Sequence, residues 1–234
     1  VTPEAALDMA KRHYGPLAPS DSITPRLRPS EPPQLAERRI TMTDERVSEP
    51  YMMRTYLAAE RNPGDQRKAA ALALLADLLG GNPTTSIMAR ELQFNRQVAV
   101  WSGAFYDGTS VDPDTFGLYV QPLPGVALAD AEAALDAVIA DFLKTGVNAD
   151  ELARIKTQVR AATIYARDDA GGLAQMYGQA LTVGLTVQDV QDWPDVLQSV
   201  TADEIMTAAT ELFNKNRAVT GWLQAPAATE EVKQ

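Results

Sequence analysis

The sequence predicts an α+β fold, a two-layer sandwich in which a mainly antiparallel sheet carries helices packed on one face. Residues 98–106 have the pattern of a strand that ends at an Asp107-Gly108 turn, and residues 115–121 follow with apolar side chains at every second position. Such alternation is typical of half-buried antiparallel strands. Beyond Asp130 the pattern is helical over nearly the whole remaining length. Strands and helices that are segregated in this way favour an α+β fold over alternating βαβ units.

Composition argues against several classes of function. The chain has 234 residues, 45% apolar and 22% charged, which are ordinary values for a globular protein. Its net charge of −10 comes from 21 basic and 31 acidic residues without a Lys/Arg cluster, which disfavours nucleic-acid binding. Cysteine is absent, so disulfides and thiolate metal sites are excluded. The longest apolar run, residues 69–79, contains Asp77 and is too short to cross a bilayer.

The first part of the chain predicts a helix and a linker. Thr2 and Pro3 supply an N-cap and a first helical turn, and Gly15-Pro16 ends the helix, so residues 1–16 are interpreted as a terminal helix left over from a preceding domain. Six prolines between residues 16 and 33 exclude helix and central strand, and residues 17–36 are therefore a predicted Pro-rich linker. The main domain is expected at residues 37–225, with a polar tail at 226–234.

The main domain is expected to begin with two strands and a buried helix. Residues 40–43 and 51–58 are the strand candidates, and Pro50 between them indicates an edge position or a bend. Asp65 is the expected cap of a helix that runs to Leu79 and closes at Gly80-Gly81. Leucine and alanine occupy most sides of this helix, and a helix that is apolar on most sides is predicted to be buried.

The second half of the main domain is predicted to be mostly helical. Residues 130–145 show a one-sided apolar stripe that Gly146 ends. Asn148 begins a helix that continues to about residue 167, and residues 168–172 interrupt the pattern. Further helices are expected at residues 173–183 and after two threonine caps, followed by a last strand at 218–223. The capping threonines are Thr186 and Thr201.

The sequence does not supply a self-sufficient catalytic set. His13 is the only histidine, so neither H-x-x-E-H nor H-E-x-x-H can occur, and a Ser-His-Asp triad would have to use this one residue. His13 lies in the last turn of its helix, where a cation suits the helix dipole. The glycine pairs at residues 80–81 and 171–172 follow predicted helices, so we interpret them as C-caps and not as phosphate loops.

Two other groups of residues have a structural and a functional interpretation. The carboxylate pairs at residues 168–169 and 203–204 are adjacent in sequence and sit at helix ends, which favours capping or solvated roles over acid–base chemistry. Trp101, Phe105 and Tyr106 could line a binding groove, but burial beneath the helices is the favoured interpretation because large aromatic residues dominate cores.

Five phrases in order carry a family resemblance. They are VTPEA at 1–5, YGPL at 14–17, the helix–strand stretch 86–108, GVNADEL at 146–152 with Lys156, and VTADEI at 200–205. Together they resemble the pitrilysin/insulinase family of zinc peptidases, which includes mitochondrial processing peptidase. The family run similar to residues 86–108 is of the form RELREKxGLAYSVSAFYDG. The resemblance covers nearly the whole chain.

The resemblance implies the carboxy-terminal half of a two-domain protein with the mitochondrial processing peptidase-like fold. Zinc is implied only for the missing amino-terminal domain, and no cofactor is expected here. Its implied partners are a peptide or unfolded polypeptide substrate, the missing domain and a homologous partner subunit, with no nucleic acid and no membrane span. The family's second domain forms one wall of the substrate chamber. Bacterial members imply a periplasmic location, and a cytoplasmic one is the alternative.

The resemblance fails at two positions of the expected substrate chamber. The family carries there an arginine and, seven residues later, a tyrosine that hold and polarise the substrate. Gln93 and Val100 stand at these positions, and Arg96 is out of step with them. Two hypotheses follow. The chain is either part of a zinc-dependent endopeptidase subunit or part of a non-catalytic structural or polypeptide-binding subunit of a peptidase-like heterodimer. In both, this fragment has no catalytic residues of its own.

Overall fold

The computed structural model describes residues 1–22, 27, 32 and 34–226, in two compact units, Val1–Pro33 and Gln34–Gln234. In the first unit, helix α1 (Pro3–Tyr14) begins where Thr2 Oγ1 accepts a hydrogen bond from the Ala5 amide at 3.3 Å. None of the residues of α1 is buried. Part of the predicted linker and residues 227–234 of the predicted tail lie outside the described residues, so those domain limits stay predictions.

The second unit is built on a mixed five-stranded sheet. Its strands are β1 (Arg38–Thr43), β2 (Tyr51–Ala58), β3 (Ala99–Phe105), β4 (Asp114–Pro122) and β5 (Ala218–Gln224), and their spatial order is β1-β5-β2-β4-β3. The β1–β5 pair is parallel and the other pairs are antiparallel. The α+β prediction is therefore confirmed, with one parallel pair at the edge. Pro50 marks a bend before β2, which is the middle strand of the sheet.

The helical layer contains two π-helical segments as well as α-helices. Helix α2 (Arg67–Ala76) continues directly into π1 (Asp77–Gly81), and π2 (Ala89–Asn95) precedes β3. The remaining elements are α3 (Leu128–Thr145), α4 (Ala149–Ala166), α5 (Ala170–Thr182), α6 (Val187–Ser199), α7 (Ala202–Leu212) and the 3₁₀ turn Lys215–Arg217.

One apolar core lies between the sheet and the helices. The strands contribute Met52, Tyr56, Phe116, Leu118 and Val120, all with 3% exposure or less. Helix α2 and π1 are buried on most sides as predicted, and they pack between the sheet and α6 and α7. From the helices the core takes mainly leucine, alanine, valine and isoleucine, including Leu72, Leu75, Leu79, Leu135, Val138 and Ile205.

The threonine caps are confirmed, but three other expectations about helix ends are wrong. Gly80 and Gly81 are not C-caps, because they are the last two residues of π1, whose C-cap is Asn82. Thr186 and Thr201 each begin a helix through a reciprocal capping box. Asp65 does not cap α2, which begins after Gln66 without a side-chain cap. Gly171 and Gly172 are not C-caps. They lie in the first turn of α5, where Asp169 accepts a hydrogen bond from the Gly172 amide at 3.0 Å.

Candidate functional site

The sheet face opposite the helices exposes large aromatic side chains. Trp101 and Phe105 on β3 are 44% and 43% exposed, so the favoured prediction of burial beneath the helices is wrong for both. The pairing of β3 with β4 shifts register between Ala99 and Trp101, which leaves Val100 in a bulge. Because a bulge resets the alternation of a strand, Ala99 and Ser102 face the core while Trp101 and Phe105 face outward. Tyr106 is half-buried and donates a hydrogen bond to the Ala59 carbonyl, and burial raises the pKa of its phenol.

Two glycines allow the exposed rings to lie against the strands. A Cβ atom at Gly117 would be 1.9 Å from Cζ of Phe105, and one at Gly103 would be 2.8 Å from Cη2 of Trp101. Any larger residue at Gly117 would displace the Phe105 ring from the sheet. The Phe105 and Trp101 rings therefore pack directly on the backbone of these two glycines.

Three rings make a continuous aromatic row across neighbouring strands. Tyr51 of β2 stacks on Tyr119 of β4 with ring centroids 4.9 Å apart, and Trp101 of β3 meets Tyr119 edge-on at 4.9 Å. We call the surface that contains this row the open sheet face. It also includes the exposed apolar side chains Ile40, Met42, Leu57 and Phe105. A surface of this kind on a sheet is well suited to contact apolar and aromatic groups of another polypeptide.

Gln93 and Val100, the two positions singled out in the sequence, are neighbours in the structure. The Gln93 side chain on π2 lies 3.0 Å from Ser102 Oγ. When the Gln93 amide is rotated by 180°, its oxygen and its nitrogen both find partners. The nitrogen then donates to the Val100 carbonyl at 3.3 Å, and the oxygen accepts from the Ser102 amide at 3.2 Å. The Val100 side chain is 49% exposed at the bulge. Gln93 thus clamps the bulge of β3, and its hydrogen-bonding groups are used within the chain.

The residues between these two positions also depart from the family run. Arg96 lies 3.4 Å from Asp141 and 3.9 Å from Glu91, so its charge is engaged away from the open sheet face. Gln97 has a φ of 51°, in the left-handed region that favours glycine, and the family run has glycine at this place. The junction between π2 and β3 therefore has a left-handed residue at the place where the family run has glycine.

Sequence reasoning missed a buried ionic network on the core face of the sheet. Arg54 is 1% exposed and donates to Glu132 at 2.6 Å and to Asp136 at 2.5 Å, while Arg39 makes a two-pronged contact with Glu132. Trp222 Nε1 donates to Glu132 at 2.9 Å. Burial raises the pKa of Glu132, but the Arg39 hydrogen bonds and the charges of Arg54 and Arg39 outweigh it and hold that pKa low. The sequence signal that could have predicted this network was Arg54, because it is a charged residue at a position where the alternating pattern of the strand places buried side chains.

The other candidate residues have structural roles. His13 is exposed in the last turn of α1. Asp169 caps α5, and Glu204 closes the α7 capping box and binds Arg67. The Arg67 and Thr201 hydrogen bonds lower the pKa of Glu204 to about 2. Asp168 and Asp203, their sequence neighbours, are exposed.

The described residues contain no group of three or more His, Cys, Asp or Glu side chains that could hold a metal ion. Within the same residues, no helix combines the length and hydrophobicity needed to span a membrane. The open sheet face and the Gln93–Val100 clamp beside it therefore remain as the candidate functional site. Its exposed side chains are mainly apolar and aromatic.

Comparison with protein families gives a match to the model described as "Peptidase M16 inactive domain" over residues 1–159. No curated protein matches the chain at a significant level. Solved bacterial structures share its fold at low sequence identity. A protease from Helicobacter pylori has a TM-score of 0.86 at 19% identity, covering 96% of this chain and 53% of that one.

Two further solved structures extend the comparison. A peptidase M16 inactive domain from Pseudomonas fluorescens has a TM-score of 0.73 at 17% identity, covering 98% of this chain and 53% of that one. The periplasmic protease PqqL from Escherichia coli has a TM-score of 0.70 at 15% identity, covering 96% of this chain and 24% of that one. The chain thus spans about half the length of the first two structures it matches.

Proposed function

Because this chain belongs to the family of peptidase M16 inactive domains, we propose that it forms the non-catalytic wall of a polypeptide-binding chamber in a zinc-dependent metalloendopeptidase. In this proposal the other half of the protein, which is absent from this chain, carries the zinc and the hydrolytic chemistry. The present chain supplies contact surface for an unfolded polypeptide.

The observation that carries the proposal is the open sheet face. Large rings and aliphatic side chains remain exposed there although the opposite face of the same sheet is covered by helices. Monomeric proteins rarely leave contiguous apolar surface in contact with water unless it binds something. Glycines under Trp101 and Phe105 let the rings lie close to the strands, which gives a broad surface instead of a deep pocket. A broad surface of this kind can contact polypeptides of many different sequences, because it has no deep pocket that selects one side chain.

The residues of this chain do not fit a zinc site. The sequence holds one histidine and no cysteine, and the described residues contain no cluster of metal-binding side chains. Gln93 and Val100 do not supply the substrate assistance that the family resemblance assigns to an arginine and a tyrosine. The Gln93 amide is held by Val100 and Ser102, and Val100 has no hydroxyl group. Hydrolysis is therefore assigned to the missing half.

A second candidate function follows from the same two positions. A homologous subunit could carry the arginine and tyrosine, and the present chain would then belong to a structural or polypeptide-binding subunit of a heterodimer. The geometry of Gln93 favours this alternative because its amide is already hydrogen-bonded to Val100 and Ser102 and carries no positive charge. A periplasmic location fits both candidates, since one structural relative is a periplasmic protease.

The proposal is tested by measuring how the chain binds an unfolded polypeptide. Fluorescein-labelled casein is titrated with the wild-type chain and with Trp101→Ala, and binding is followed by fluorescence anisotropy. Loss of a central aromatic anchor should weaken binding about tenfold. The matched control is Tyr165→Ala, which removes a 77% exposed aromatic residue from α4 on the helical side. Equal effects of the two substitutions, or none from Trp101→Ala, would exclude the open sheet face as the binding surface.

A further inference from the structure

Asp77 is a half-buried carboxylate without a protein partner in the described part of the chain. It is the first residue of π1, directly after the buried helix α2. Its carboxylate makes no hydrogen bond and no ion pair with any described residue. The more deeply buried acidic side chains Glu132 and Asp189 are, by contrast, engaged by several donors. Since the described part of the chain holds no buried side-chain oxygen without a hydrogen-bond partner, both Asp77 oxygens reach accessible space, where a cation from outside the chain can contact them.

The Asp77 carboxylate lies in a cavity of about 260 Å³ between π1, the loop after it and α4. Gly81 closes one side, because a Cβ atom there would be 2.6 Å from Asp77 Oδ1. The missing side chain of Gly81 thus leaves the space that the carboxylate occupies. The residues that line the cavity belong to helices and a loop and not to the sheet: Asp77, Gly81, Thr85, Arg154, Gln158 and Val159, with others beside them.

Arg154 is the other charged side chain in the cavity lining, and it is directed to a different partner. Its Nη1 donates to Thr85 Oγ1 at 3.1 Å, and no ion pair with Asp77 is formed. Burial raises the pKa of the Asp77 carboxyl, and no neighbouring cation offsets the rise. The charge on Asp77 is therefore not balanced by the fold.

We propose that this cavity binds a primary ammonium group on an aliphatic chain, with Asp77 as its counter-ion. An ammonium has three donors, and the cavity offers acceptors beyond Asp77 in Gln158 and the hydroxyl groups of Thr85 and Ser86. Ile155, Val159 and Ala162 supply an apolar wall for the carbon chain. A bare metal ion fits less well, because no cluster of three acidic or imidazole ligands is present among the described residues.

Two sources can present this group, a lysine side chain and a polypeptide amino terminus. Both share the ammonium that the cavity recognises, and they differ in the carbon chain behind it. The site lies on the helical layer, so it is separate from the open sheet face and does not depend on the function proposed for that face.

The test uses the 234-residue chain, labelled with ¹³C and ¹⁵N, in NMR titrations. Nα-acetyl-lysine N-methylamide presents a side-chain ammonium, alanine N-methylamide presents an amino-terminal one, and Nα-acetyl-norleucine N-methylamide is the uncharged control. At least one ammonium probe should give saturable shifts at the cavity residues, and the norleucine probe should not. The probe that binds identifies the source. Binding should weaken as the pH falls and Asp77 becomes protonated.

Two variants separate the cavity from general attraction to an acidic protein. Asp77→Asn should weaken binding at least about tenfold, since the isosteric amide removes the charge. Asp195→Asn removes an equal charge from an exposed site on α6 and should leave binding unchanged. Should Asp77→Asn fail to fold, Gly81→Ala displaces the carboxylate while keeping its charge, and weaker binding is again expected. The proposal is overturned if neither ammonium probe saturates, or if binding survives the loss or displacement of the Asp77 carboxylate, or if Asp77→Asn and Asp195→Asn act alike.

Discussion

At the residue scale, Gln97 holds a backbone conformation that its side chain disfavours. Its φ of 51° lies in the left-handed region, at the junction between π2 and β3. A non-glycine residue pays roughly 1–2 kcal/mol for this conformation, whereas glycine adopts it freely. The strain is located beside the Gln93–Val100 clamp, where the hinge sets the start of β3.

We expect Gln97→Gly to raise the free energy of unfolding by up to about 1 kcal/mol, because relief of the left-handed strain exceeds the added chain entropy. Urea denaturation of the isolated chain measures the change. Gln97→Val is the opposite control and should destabilise, since β-branched residues avoid this region. A lower stability of the glycine variant would show that the Gln97 side chain makes a contribution larger than the strain.

Glu132 is the residue on which the buried ionic network depends. It accepts hydrogen bonds from Arg54, Arg39 and Trp222, and its side chain is 8% exposed. Glu132→Gln leaves the buried Arg54 charge poorly compensated and should cost about 3 kcal/mol of unfolding free energy. Glu211→Gln, in an exposed pair with Lys68, should change stability by less than about 1 kcal/mol.

The same network predicts a pH dependence. The folded pKa of Glu132 is below its unfolded value, so its contribution is fully present above the unfolded pKa of about 4.3 and is lost as the pH falls through the folded pKa. The stability difference between wild type and Glu132→Gln should therefore shrink below about pH 4. Denaturation curves from pH 3 to 7 measure it. A difference that stays constant to acid pH would contradict the assigned ionisation.

At the element scale, the contact between π1 and β3 depends on the absence of a side chain at Gly80. A Cβ atom there would lie 1.9 Å from the Ala104 nitrogen and 2.5 Å from the Gly103 carbonyl carbon, both backbone atoms of β3. Backbone atoms of a paired strand cannot move aside as a side-chain end can. Gly80 is thus required by close packing between two elements, and not as a C-cap.

We expect Gly80→Ala to lower the unfolding free energy by about 3 kcal/mol, because β3 or π1 must shift to admit the methyl group. The matched control is Gly178→Ala inside α5, where nothing lies within 4 Å of the added atom. That substitution should stabilise by about 0.5–1 kcal/mol through helix propensity. Thermal and urea unfolding of both variants distinguish the two cases. Similar behaviour of the two would mean that the π1–β3 contact is not close.

At the scale of the whole molecule, the chain should bind no stoichiometric zinc. One histidine and no cysteine cannot form a tetrahedral site, and the acidic residues in the described part are dispersed. Elemental analysis after dialysis against zinc and then against buffer gives the stoichiometry, and bovine carbonic anhydrase treated in parallel serves as a positive control. One tightly retained zinc ion per chain would overturn the assignment of the metal to the missing half.

If the other half of the protein carries the zinc, as proposed, the full-length protein should gain activity from a partner. Gln93 has no positive charge and its amide is engaged within the chain, and Val100 has no hydroxyl group, so neither replaces the arginine and tyrosine that the family resemblance assigns to these positions. Loss of one such donor typically costs about 10²–10³ in rate. A homologous subunit with the arginine and tyrosine should therefore raise activity by about that factor on mixing. The double substitution Gln93→Arg with Val100→Tyr should recover part of it without the partner.

The exposed position of Val100 allows the double substitution Gln93→Arg with Val100→Tyr to be tested without loss of the fold. Val100 is half-exposed at a bulge, so tyrosine can be placed there without disturbing the core. Ser102→Ala serves as the control because it removes a contact of Gln93 without adding charge. Full activity of unmodified protein that light scattering shows to be free of other chains would contradict the need for a partner.

Local sequence pattern was enough to predict which segments form strands and helices. Every predicted strand is present with ends displaced by at most two residues, and the threonine caps begin helices as expected. The family resemblance, now confirmed, also came from sequence phrases alone. These features succeed because periodicity, capping and turn chemistry act over a few neighbouring residues.

The folded structure was needed to show which side of the sheet the aromatic residues face and which charges are paired. A single bulge at Val100 turned Trp101 and Phe105 outward, and the packing of α3 against β2 brought Glu132 beside Arg54. The same holds for Gly80, whose role depends on a strand that follows it in sequence and packs against it in space. The physical reason is that register, face and long-range contact depend on the pairing of distant segments, and local pattern carries no information about that pairing.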